Sequence, residues 1–457
     1  MVRCHGERRK RMSSNVTARI AAFVSGLQWA DVPESAREAA RRTAANVVGL
    51  SVGAAHAPAS KAALATAADL GQRGDARVLG RRERLTPPWA ALVNGLTAHV
   101  EDFDDTYLAC ILHPGAPIVP AALAAGEIAR PGGEDLMAGV VAGVEVASRL
   151  GDALWPSHFD RGWHVTATTG PVGAACAAAR ILGMDAGGTA AAIAIAATQA
   201  AGHTEQLGSM TKSFQVGRAA AIGIEAALLA SEGFTGPAEP LAGRRGMAAL
   251  MAADADWSVM ADLGSRWLIE LNALKPYSCG IVSHPVIDAG RSLRADVADG
   301  GEIADVLLEV HPRVLDVMGV ADPATGLQSK FSVHHCFAVG LLRGAGGPPE
   351  FSDECAIDPA VQELRRKVRT ELDPSLPADS CRVTVTLTSG EKLARTVEHA
   401  TGSVSAPMTT EQLQDKVVRL AHHLDDPTQL WTVASNLDRV SDVSELFAVA
   451  GSPSAVV

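Results

Sequence analysis

The chain has 457 residues, and 40 lysine and arginine residues against 51 aspartate and glutamate residues give a formal net charge of −11. Its length allows two or three domains with a large core. A composition of 47% apolar and 20% charged residues is ordinary for a globular protein and too apolar for a disordered one. Because basic residues form a run only at the extreme N-terminus, nucleic acid and anionic membranes are not expected partners.

Alanine supplies most of the apolar character, whereas aromatic residues make up only 4%. Alanine favours helix and lets helices approach closely, so we expect a tightly packed, largely helical body. The most apolar region, 166–202, is interrupted by proline, charged residues and glycines, and therefore predicts no membrane span. Residues 1–14 are basic and lead into a segment that carries Arg19, which does not fit a secretory signal. We expect a disordered tail at 1–14 on a cytoplasmic protein.

The seven cysteines are scattered and form no CxxC pair. This spacing gives no support for a zinc ribbon or a locally ligated iron–sulfur cluster. Reduced thiols, mostly buried as small apolar groups, fit the odd count.

Periodic apolar residues and terminal proline or glycine residues predict helices in the first half of the chain, over 16–27, 33–48, 136–150, 171–182 and 217–232. The composition changes after about Ala273. A strand is then predicted at Ile303–His311 and a hairpin around Ser389-Gly390 at Cys381–Val397. Further helices are predicted at Ser332–Arg343, Pro359–Glu371, Thr409–Leu424 and Pro427–Arg439.

These elements predict a mainly α protein of two domains with a cleft between them. The larger, all-helical domain would combine 15–270 with the C-terminal helices at 406–450. The smaller, α+β domain would cover 271–405.

A carboxylate cluster precedes an isolated histidine. The cluster comprises Glu101, Asp102, Asp104 and Asp105. Single carboxylates of this kind cap helices or lie in solvent, and a hard-cation site is the alternative, although no glycine-turned loop or completing glutamate follows. His113 lies in an apolar run, where an imidazole is costly to bury unless it is hydrogen-bonded or used. It could be a satisfied core histidine or a functional one.

Two further groups of polar residues lie near helix starts. His164 precedes a glycine-rich helix start whose free N–H groups can hold an anion, or it belongs to a polar loop capped by a threonine. Lys212 and Arg218 flank the predicted start of the helix at 217–232, where they could receive a carboxylate. Alternatively, they are two surface charges.

Lys275 lies at the predicted domain junction, in the segment LKPYSCGIVSHP. It is one of eight lysines, so 32 of the 40 basic residues are arginines, and a lysine in an apolar, proline-flanked segment is a candidate for a specific task. A desolvated lysine can act as an acid or base, whereas a solvated junction lysine is the alternative. Tyr277 and His284 also fit structural roles, and Cys279 has no sequence-local base to make it a nucleophile.

The order of these motifs resembles that of the MmgE/PrpD family, which includes 2-methylcitrate dehydratase, cis-aconitate decarboxylase and iminodisuccinate epimerase. The resemblance covers about 15–450. The motifs are Asp102-Phe-Asp-Asp-Thr106 followed by His113-Pro-Gly, Gly162-Trp-His164, Gly217-Arg218-Ala-Ala after Lys212, Gly233-Phe-Thr-Gly-Pro237 and Lys275-Pro-Tyr277 before His284-Pro. Together they point to the family and to no single member.

The resemblance implies a helical domain, a smaller α+β lid domain, a homodimer, no metal or cofactor, and a site in the cleft. The pocket residues that it implies are Asp102, Thr106, His113, His164, Lys212 and Lys275. We expect His113 and His164 to transfer protons and Asp102 to orient one imidazole. Lys275, Lys212 and Arg218 would hold carboxylates and stabilise an enolate-like state, with Thr106 and Tyr277 as further substrate contacts.

The expected function is that of a lyase, either a dehydratase or a decarboxylase, acting on a small di- or tricarboxylate. An epimerase or isomerase of an amino- or imino-dicarboxylate is the alternative, favoured by the segment around Lys275. A non-catalytic helical scaffold would not explain isolated histidines and lysines at loop–helix junctions.

Overall fold

The first half of the chain folds mainly into helices. A computed structural model describes residues 15–451, so the tail expected at 1–14 lies outside the described residues. The helices of this half are α1 Val16–Gly26, α2 Glu34–Gly53, α3 Pro58–Asp69, α4 Pro87–His99, α5 Gly115–Ala129, α6 Gly133–Leu154, α7 Ser157–Asp160, α8 Val165–Ile181, α9 Ala186–Ala197, α10 Met210–Ser231 and α11 Met247–Met251. Short 3₁₀ helices lie at Trp29–Asp31, Thr204–Gln206, Trp257–Met260 and Leu268–Leu271.

Glycines let these helices approach closely. A Cβ at Gly217 in α10 would lie 2.3 Å from the carbonyl oxygen of Leu92 in α4. A Cβ at Gly173 in α8 would lie 2.7 Å from the carbonyl oxygen of Gly143 in α6. Side chains cannot occupy such distances, so these contacts require glycine, and the expectation of closely packed small-residue helices is confirmed.

Two helices of this half begin earlier than predicted. Helix α8 begins at Val165, so Pro171 lies inside the helix and not in its first turn. The hydroxyl groups of Thr168 and Thr169 donate to the carbonyl of Val165 within the helix and do not cap it. Helix α10 begins at Met210 and not at residue 217. Its first turns carry polar residues that are nevertheless buried, which concealed the apolar period.

Two small sheets also involve this part of the chain, so the prediction that it is all-helical is wrong. Strand β1 (Arg73–Arg77) pairs antiparallel with β2 (Arg84–Leu85), and β3 (Thr106–Tyr107) with β4 (Asn272–Ala273). Two-residue strands are too short to show an alternating pattern. The β3–β4 pair sets Thr106 opposite Ala273 and so brings the Lys275 segment to the acidic cluster.

The second half contains a four-stranded sheet in the order β6–β5–β7–β8, with β5 and β6 parallel and the other pairs antiparallel. Its strands are β5 Ile303–Val310, β6 Val368–Leu372, β7 Cys381–Leu387 and β8 Lys392–Val397. Its helices are α12 His284–Gly300, α13 Arg313–Met318, α14 Gly326–Ser329, α15 Val333–Arg343, α16 Asp353–Ala356 and α17 Pro359–Lys367, with 3₁₀ helices at Ile281–Ser283 and Pro348–Phe351. The predicted strand and hairpin are confirmed. The helix predicted over 359–371 ends at Lys367, because the chain then pairs with β5 as β6.

Buried apolar side chains form two main clusters. The larger joins most helices of the first half to the last three helices, α18 Thr410–Leu420, α19 Pro427–Ala434 and α20 Ser444–Val449, beside a 3₁₀ helix at Leu437–Arg439. The smaller is built from buried residues between 273 and 387. The exact division into domains stays a prediction. The six cysteines that the structure describes are free and buried, and none of the helices between 15 and 451 is both long and apolar enough to cross a bilayer.

Candidate active site

The loop between α4 and α5 carries the acidic cluster. Helix α4 ends at His99, and Asp102 has a φ of +49°, a conformation that aspartate tolerates better than most residues. Asp105 accepts a hydrogen bond from the backbone N–H of Gly115, the first residue of α5, at 2.8 Å. A Cβ at Gly115 would lie 2.4 Å from Asp105 Oδ1, so glycine is needed for this contact. Burial, with help from neighbouring acidic charge, raises the pKa of Asp105 to about 6.

Two buried lysines converge on one oxygen of Asp102. Its Oδ1 lies 2.5 Å from Nζ of Lys212 and 3.2 Å from Nζ of Lys275, and Lys275 also donates to the Asp102 carbonyl at 3.0 Å. Burial opposes ionisation of Asp102, but the two ammonium groups outweigh it and hold its pKa well below the usual range. Asp102 Oδ2 is buried without a hydrogen-bond partner among the described residues. It is available to accept a hydrogen bond from a ligand.

His113 keeps one ring nitrogen available to the cavity. Its Nδ1 lies 3.0 Å from the carbonyl oxygen of Asp105 and 3.1 Å from Thr106 Oγ1. Because a carbonyl oxygen can only accept, Nδ1 carries the proton, which leaves Nε2 as an acceptor. Burial lowers the pKa of His113 to about 3, although Asp104 opposes the shift. The neutral ring can therefore take up a proton at Nε2.

Asp104 lies beside His113 and joins it to a second imidazole. Its Oδ2 lies 2.7 Å from Nδ1 of His99 and 3.7 Å from Nδ1 of His113, and the two ring centroids are 4.8 Å apart. Burial opposes ionisation of Asp104, but the two imidazoles outweigh it and lower its pKa. His99 was not predicted. Its position in the last turn of α4, beside an acidic cluster, was the available signal.

The same three residues have the donor types of a metal site. Ligand atoms of His99, Asp104 and His113 all lie within 4.8 Å of one another, and two histidines with one carboxylate can hold a transition metal. Hydrogen bonding already satisfies the contact between His99 and Asp104, and the positive charges of Lys212 and Lys275 act on the imidazoles and disfavour a cation there. The absence of a metal requirement stays a prediction, which metal analysis of the purified protein would check.

His164 lies immediately before α8. Its backbone N–H donates to the carbonyl of Gly202 at 3.1 Å, which fixes the residue at the helix start. Its Nδ1 is buried and has no hydrogen-bond partner within 15–451. Burial, reinforced by Lys212, holds the pKa of His164 well below its usual range. His164 is thus a second neutral imidazole with a nitrogen available to a ligand.

These side chains surround one small cavity. Its polar lining consists of Asp102, His113, His164, Thr204, Lys212 and Lys275. Its apolar wall consists of Ile111, Phe159, Leu207, Ile281, Val282, Val317 and Phe331. The cavity volume of about 30 Å³ holds roughly two water molecules. A substrate of several carbons can therefore enter only if part of the lining moves.

Three predicted substrate contacts do not line the cavity: Arg218, Tyr277 and Thr106. Lys212 and Arg218 are six residues apart in α10, which rotates Arg218 by about 240° around the helix axis. Arg218 pairs with Glu225 through two hydrogen bonds of 3.0 and 3.1 Å on a more exposed face. Tyr277 donates its hydroxyl hydrogen to Asp288 within the smaller apolar cluster. Thr106 contacts the His113 ring and is not part of the cavity lining.

Two buried lysines near the site were missed. Lys330 donates to Glu101 Oε2 at 2.9 Å and to Ser278 Oγ at 2.7 Å. Lys416 in α18 reaches backbone carbonyl groups of the acidic loop and of the junction segment. The rarity of lysine was the usable signal, because four of the seven lysines that the structure describes are buried: Lys212, Lys275, Lys330 and Lys416.

Comparisons with known proteins identify the family to which this chain belongs. The MmgE/PrpD N-terminal domain matches residues 18–260, and the MmgE/PrpD C-terminal domain matches residues 277–439. The chain is 30% identical to the cis-aconitate decarboxylase of Homo sapiens over 391 residues, 81% of each chain. It is 26% identical to the cis-aconitate decarboxylase of Aspergillus terreus over 475 residues, 96% of each chain. With both family domains matched in order along most of its length, the chain belongs to the MmgE/PrpD family.

Proposed function

We propose that the protein is a lyase that transfers a proton at a carbon next to a carboxylate of a small di- or tricarboxylate. The observation that carries this proposal is that two neutral imidazoles and two lysines surround one buried cavity. Proton transfer at such a carbon builds negative charge on the adjacent carboxylate, and buried cations stabilise that charge. The relatives named decarboxylases favour loss of CO₂ over loss of water.

The roles follow from the hydrogen-bonding capacity that remains at each group. Lys212 and Lys275 each keep at least one N–H donor free beyond their bonds to Asp102, and these donors would hold a substrate carboxylate. A bound carboxylate favours the imidazolium form of His113 or His164. In a decarboxylation, the bond to the departing carboxyl group breaks and CO₂ leaves. The electron pair enters an enolate-like state, and an imidazolium donates a proton to carbon.

Epimerisation of an amino- or imino-dicarboxylate is the second candidate. His113 and His164 come from different chain segments on one cavity. Such an arrangement would allow them to act on opposite faces of one carbon, one as base and the other as acid.

The decisive experiment is NMR in D₂O with a panel of di- and tricarboxylates. Loss of CO₂ or water supports the lyase, deuterium uptake without net loss supports the epimerase, and no change in any acid contradicts both. His113→Ala should lower kcat by more than about 100-fold, because it removes one of the two imidazoles proposed to carry the transferred proton. The matched variant Arg218→Ala should keep kcat, because Arg218 pairs with Glu225 outside the cavity.

We also propose that the α+β region is a lid and that the protein is a homodimer, as the family resemblance implies. Much of the apolar wall belongs to the smaller apolar cluster, including Ile281, Val282 and Phe331. A lid predicts a smaller radius of gyration by X-ray scattering when an acid binds. Exposed Phe214 and Leu229 on α10 support an interface, and sedimentation at the mass of a monomer would contradict the homodimer.

A further inference from the structure

The positively charged groups that line the cavity are few and are already paired with a carboxylate. Among the described residues, its only charged lining groups are Asp102, Lys212 and Lys275. Both ammonium groups already share Asp102 Oδ1, at 2.5 and 3.2 Å. The sum of these three charges is about +1 with both lysines protonated, and protonation of one imidazole when a carboxylate binds raises it to about +2, whereas a tricarboxylate brings about −3 at neutral pH.

Neighbouring cations do not remedy this shortage. Lys330 is paired with Glu101, and Lys416, which does not line the cavity, already donates to three oxygens. Carboxylates are costly to bury without a cation or a set of donors. The lysines can hold one substrate carboxylate and contribute to a second, but a third would face the apolar wall.

Ile111 in the apolar wall has an unusual backbone. It lies in a tight turn that is closed by two hydrogen bonds between the backbones of Tyr107 and Leu112, at 2.7 and 3.1 Å. Its φ is +55°, a left-handed conformation that is a genuine outlier for a β-branched residue. Strained residues of this kind concentrate at ligand sites.

The distribution of strain supports a ligand contact. Three non-glycine residues of the described chain have a positive φ: Asp102, Ile111 and Arg130. Two of them, Asp102 and Ile111, line the cavity. The strained turn therefore sets an apolar side chain against the cavity where glycine or asparagine would suit the backbone better.

We infer that the cavity takes a dicarboxylate with an apolar substituent in the place where a citrate-like acid carries its third carboxylate, and that Ile111 contacts this substituent. The inference rests on the proposed function, because it narrows the substrate class of the same site. The lysines hold the carboxylate next to the reacting carbon. Burial of the substituent against Ile111 and the rest of the apolar wall favours binding.

A pair of matched ligands tests this inference. Isobutylmaleate differs from cis-aconitate in carrying an isopropyl group in place of the third carboxylate. Calorimetric titration of the full-length protein should give a Kd at least about 10-fold lower for isobutylmaleate, the ratio expected from burial of two methyl groups and release of one unpaired charge. An equal or lower Kd for cis-aconitate overturns the inference and leaves the proposed lyase intact.

Substitution at Ile111 tests the residue itself. Ile111→Lys should reverse the preference by adding a cation to the apolar wall, and Ile111→Gly should reduce the preference while relieving the strained backbone. Ile357→Lys makes the same change at an exposed isoleucine and should keep the wild-type ratio. An unchanged ratio in folded Ile111→Gly overturns the role of Ile111. If the wild-type protein binds neither acid and exchanges no proton of any acid in D₂O, the proposed function fails and this inference with it.

Discussion

Lys212 and Lys275 contact the same carboxylate, but they differ in how many hydrogen bonds already hold the ammonium group. Lys212 donates to Asp102 Oδ1 alone, and its ammonium lies 5.3 Å from the ring centroid of Phe331 in the apolar wall. Lys275 is fully buried and is held by both the side chain and the carbonyl of Asp102. Lys212 therefore retains more unused N–H donors for a ligand than Lys275 does.

Lys212→Met should raise KM for the carboxylate substrate by at least about 10-fold, because it removes a charge-assisted hydrogen bond worth roughly 1.5–3 kcal/mol. Steady-state kinetics on the acid identified in D₂O would measure this change. Lys392→Met, at an exposed position in β8, is the matched control. A normal KM in a folded Lys212→Met variant would show that Lys212 does not bind substrate.

Where His113 is the base that takes a proton from carbon, its pKa predicts an unusual pH profile. Burial lowers this pKa to about 3, with Asp104 opposing the shift and Lys275 adding to it. A general base must be unprotonated, so its activity persists as pH falls and is lost only near the lowered pKa. The kcat/KM of the free enzyme should therefore show no acid limb with a midpoint near 6.5. Circular dichroism at each pH would separate loss of activity from unfolding, and a midpoint of 6–7 would contradict His113 as the base.

The sequence predicted the site best where a polar residue interrupts an apolar segment. His113 and Lys275 were identified in this way, His164 was identified from its place before a glycine-rich helix start, and all three line the cavity. Arg218 was expected at the start of its helix, but that helix begins about two turns earlier than its apolar period indicates. The role of Ile111 depends on a backbone dihedral angle, and no residue pattern reports that angle.

At the scale of elements, α18 contacts both loops of the site, the acidic loop after α4 and the segment that carries Lys275. Lys416 Nζ donates to Asn46 Oδ1 at 2.7 Å, to the carbonyl of Phe103 at 2.7 Å and to the carbonyl of Lys275 at 2.8 Å. Three acceptors use all three ammonium hydrogens. Burial holds the pKa of Lys416 well below its usual range, and Asp104 only partly opposes the shift. A helix near the C-terminus thus fixes the residue after Asp102 and the backbone of Lys275.

Lys416→Met should lower kcat by at least about 10-fold, because both loops lose the donor that sets their spacing. It should also cost at least about 2 kcal/mol of stability, because buried oxygens lose their partner. Kinetics well below the unfolding temperature would separate the two effects. Arg419→Met, in the same helix and paired only with Asp415, should change neither quantity. Wild-type kcat in folded Lys416→Met would show that these hydrogen bonds do not position the site.

Elements were predictable where they are long and bury one face. The hairpin β7–β8 alternates along its length and was identified around Gly390, whose φ is +89°. Strand β6 was missed because it follows α17 without a break and only partner β5 stabilises it as a strand. Strands β3 and β4 were missed because a strand of two residues is too short to show an alternation of apolar and polar residues, although this pair brings Lys275 to Asp102.

At the scale of the whole molecule, each apolar cluster lies beside a buried neutral histidine. His158 forms hydrogen bonds to the carbonyl of Met251 at 3.2 Å and to Thr168 Oγ1 at 2.7 Å. Met251 belongs to the larger cluster. His335 bonds to the carbonyl of Glu350 at 2.8 Å, beside the smaller cluster. Burial lowers the pKa of each histidine to about 4, and the carbonyl contact opposes the shift in each.

Both parts of the molecule should therefore lose stability in the same pH window. The folded-state pKa of about 4 lies below the unfolded value of 6.5, so the unfolded chain binds more protons between these values. Stability then falls as pH drops through that window, by about 2 kcal/mol per histidine between pH 7 and pH 5. Asp105 and Glu145, with pKa values raised by burial to about 6 and about 7, act in the opposite direction and reduce the total change.

Because these contributions oppose one another, the informative measurement is the difference between variant and wild type. His158→Gln and His335→Gln should each remove about 2 kcal/mol of the loss between pH 7 and pH 5, measured by urea unfolding at both pH values. Each variant can be less stable at pH 7, where it loses a hydrogen bond, and still show the weaker pH dependence. His422→Gln, at an exposed position, should follow the wild-type curve. If all three variants lose stability in parallel with the wild type, these buried histidines are not the source of the acid sensitivity.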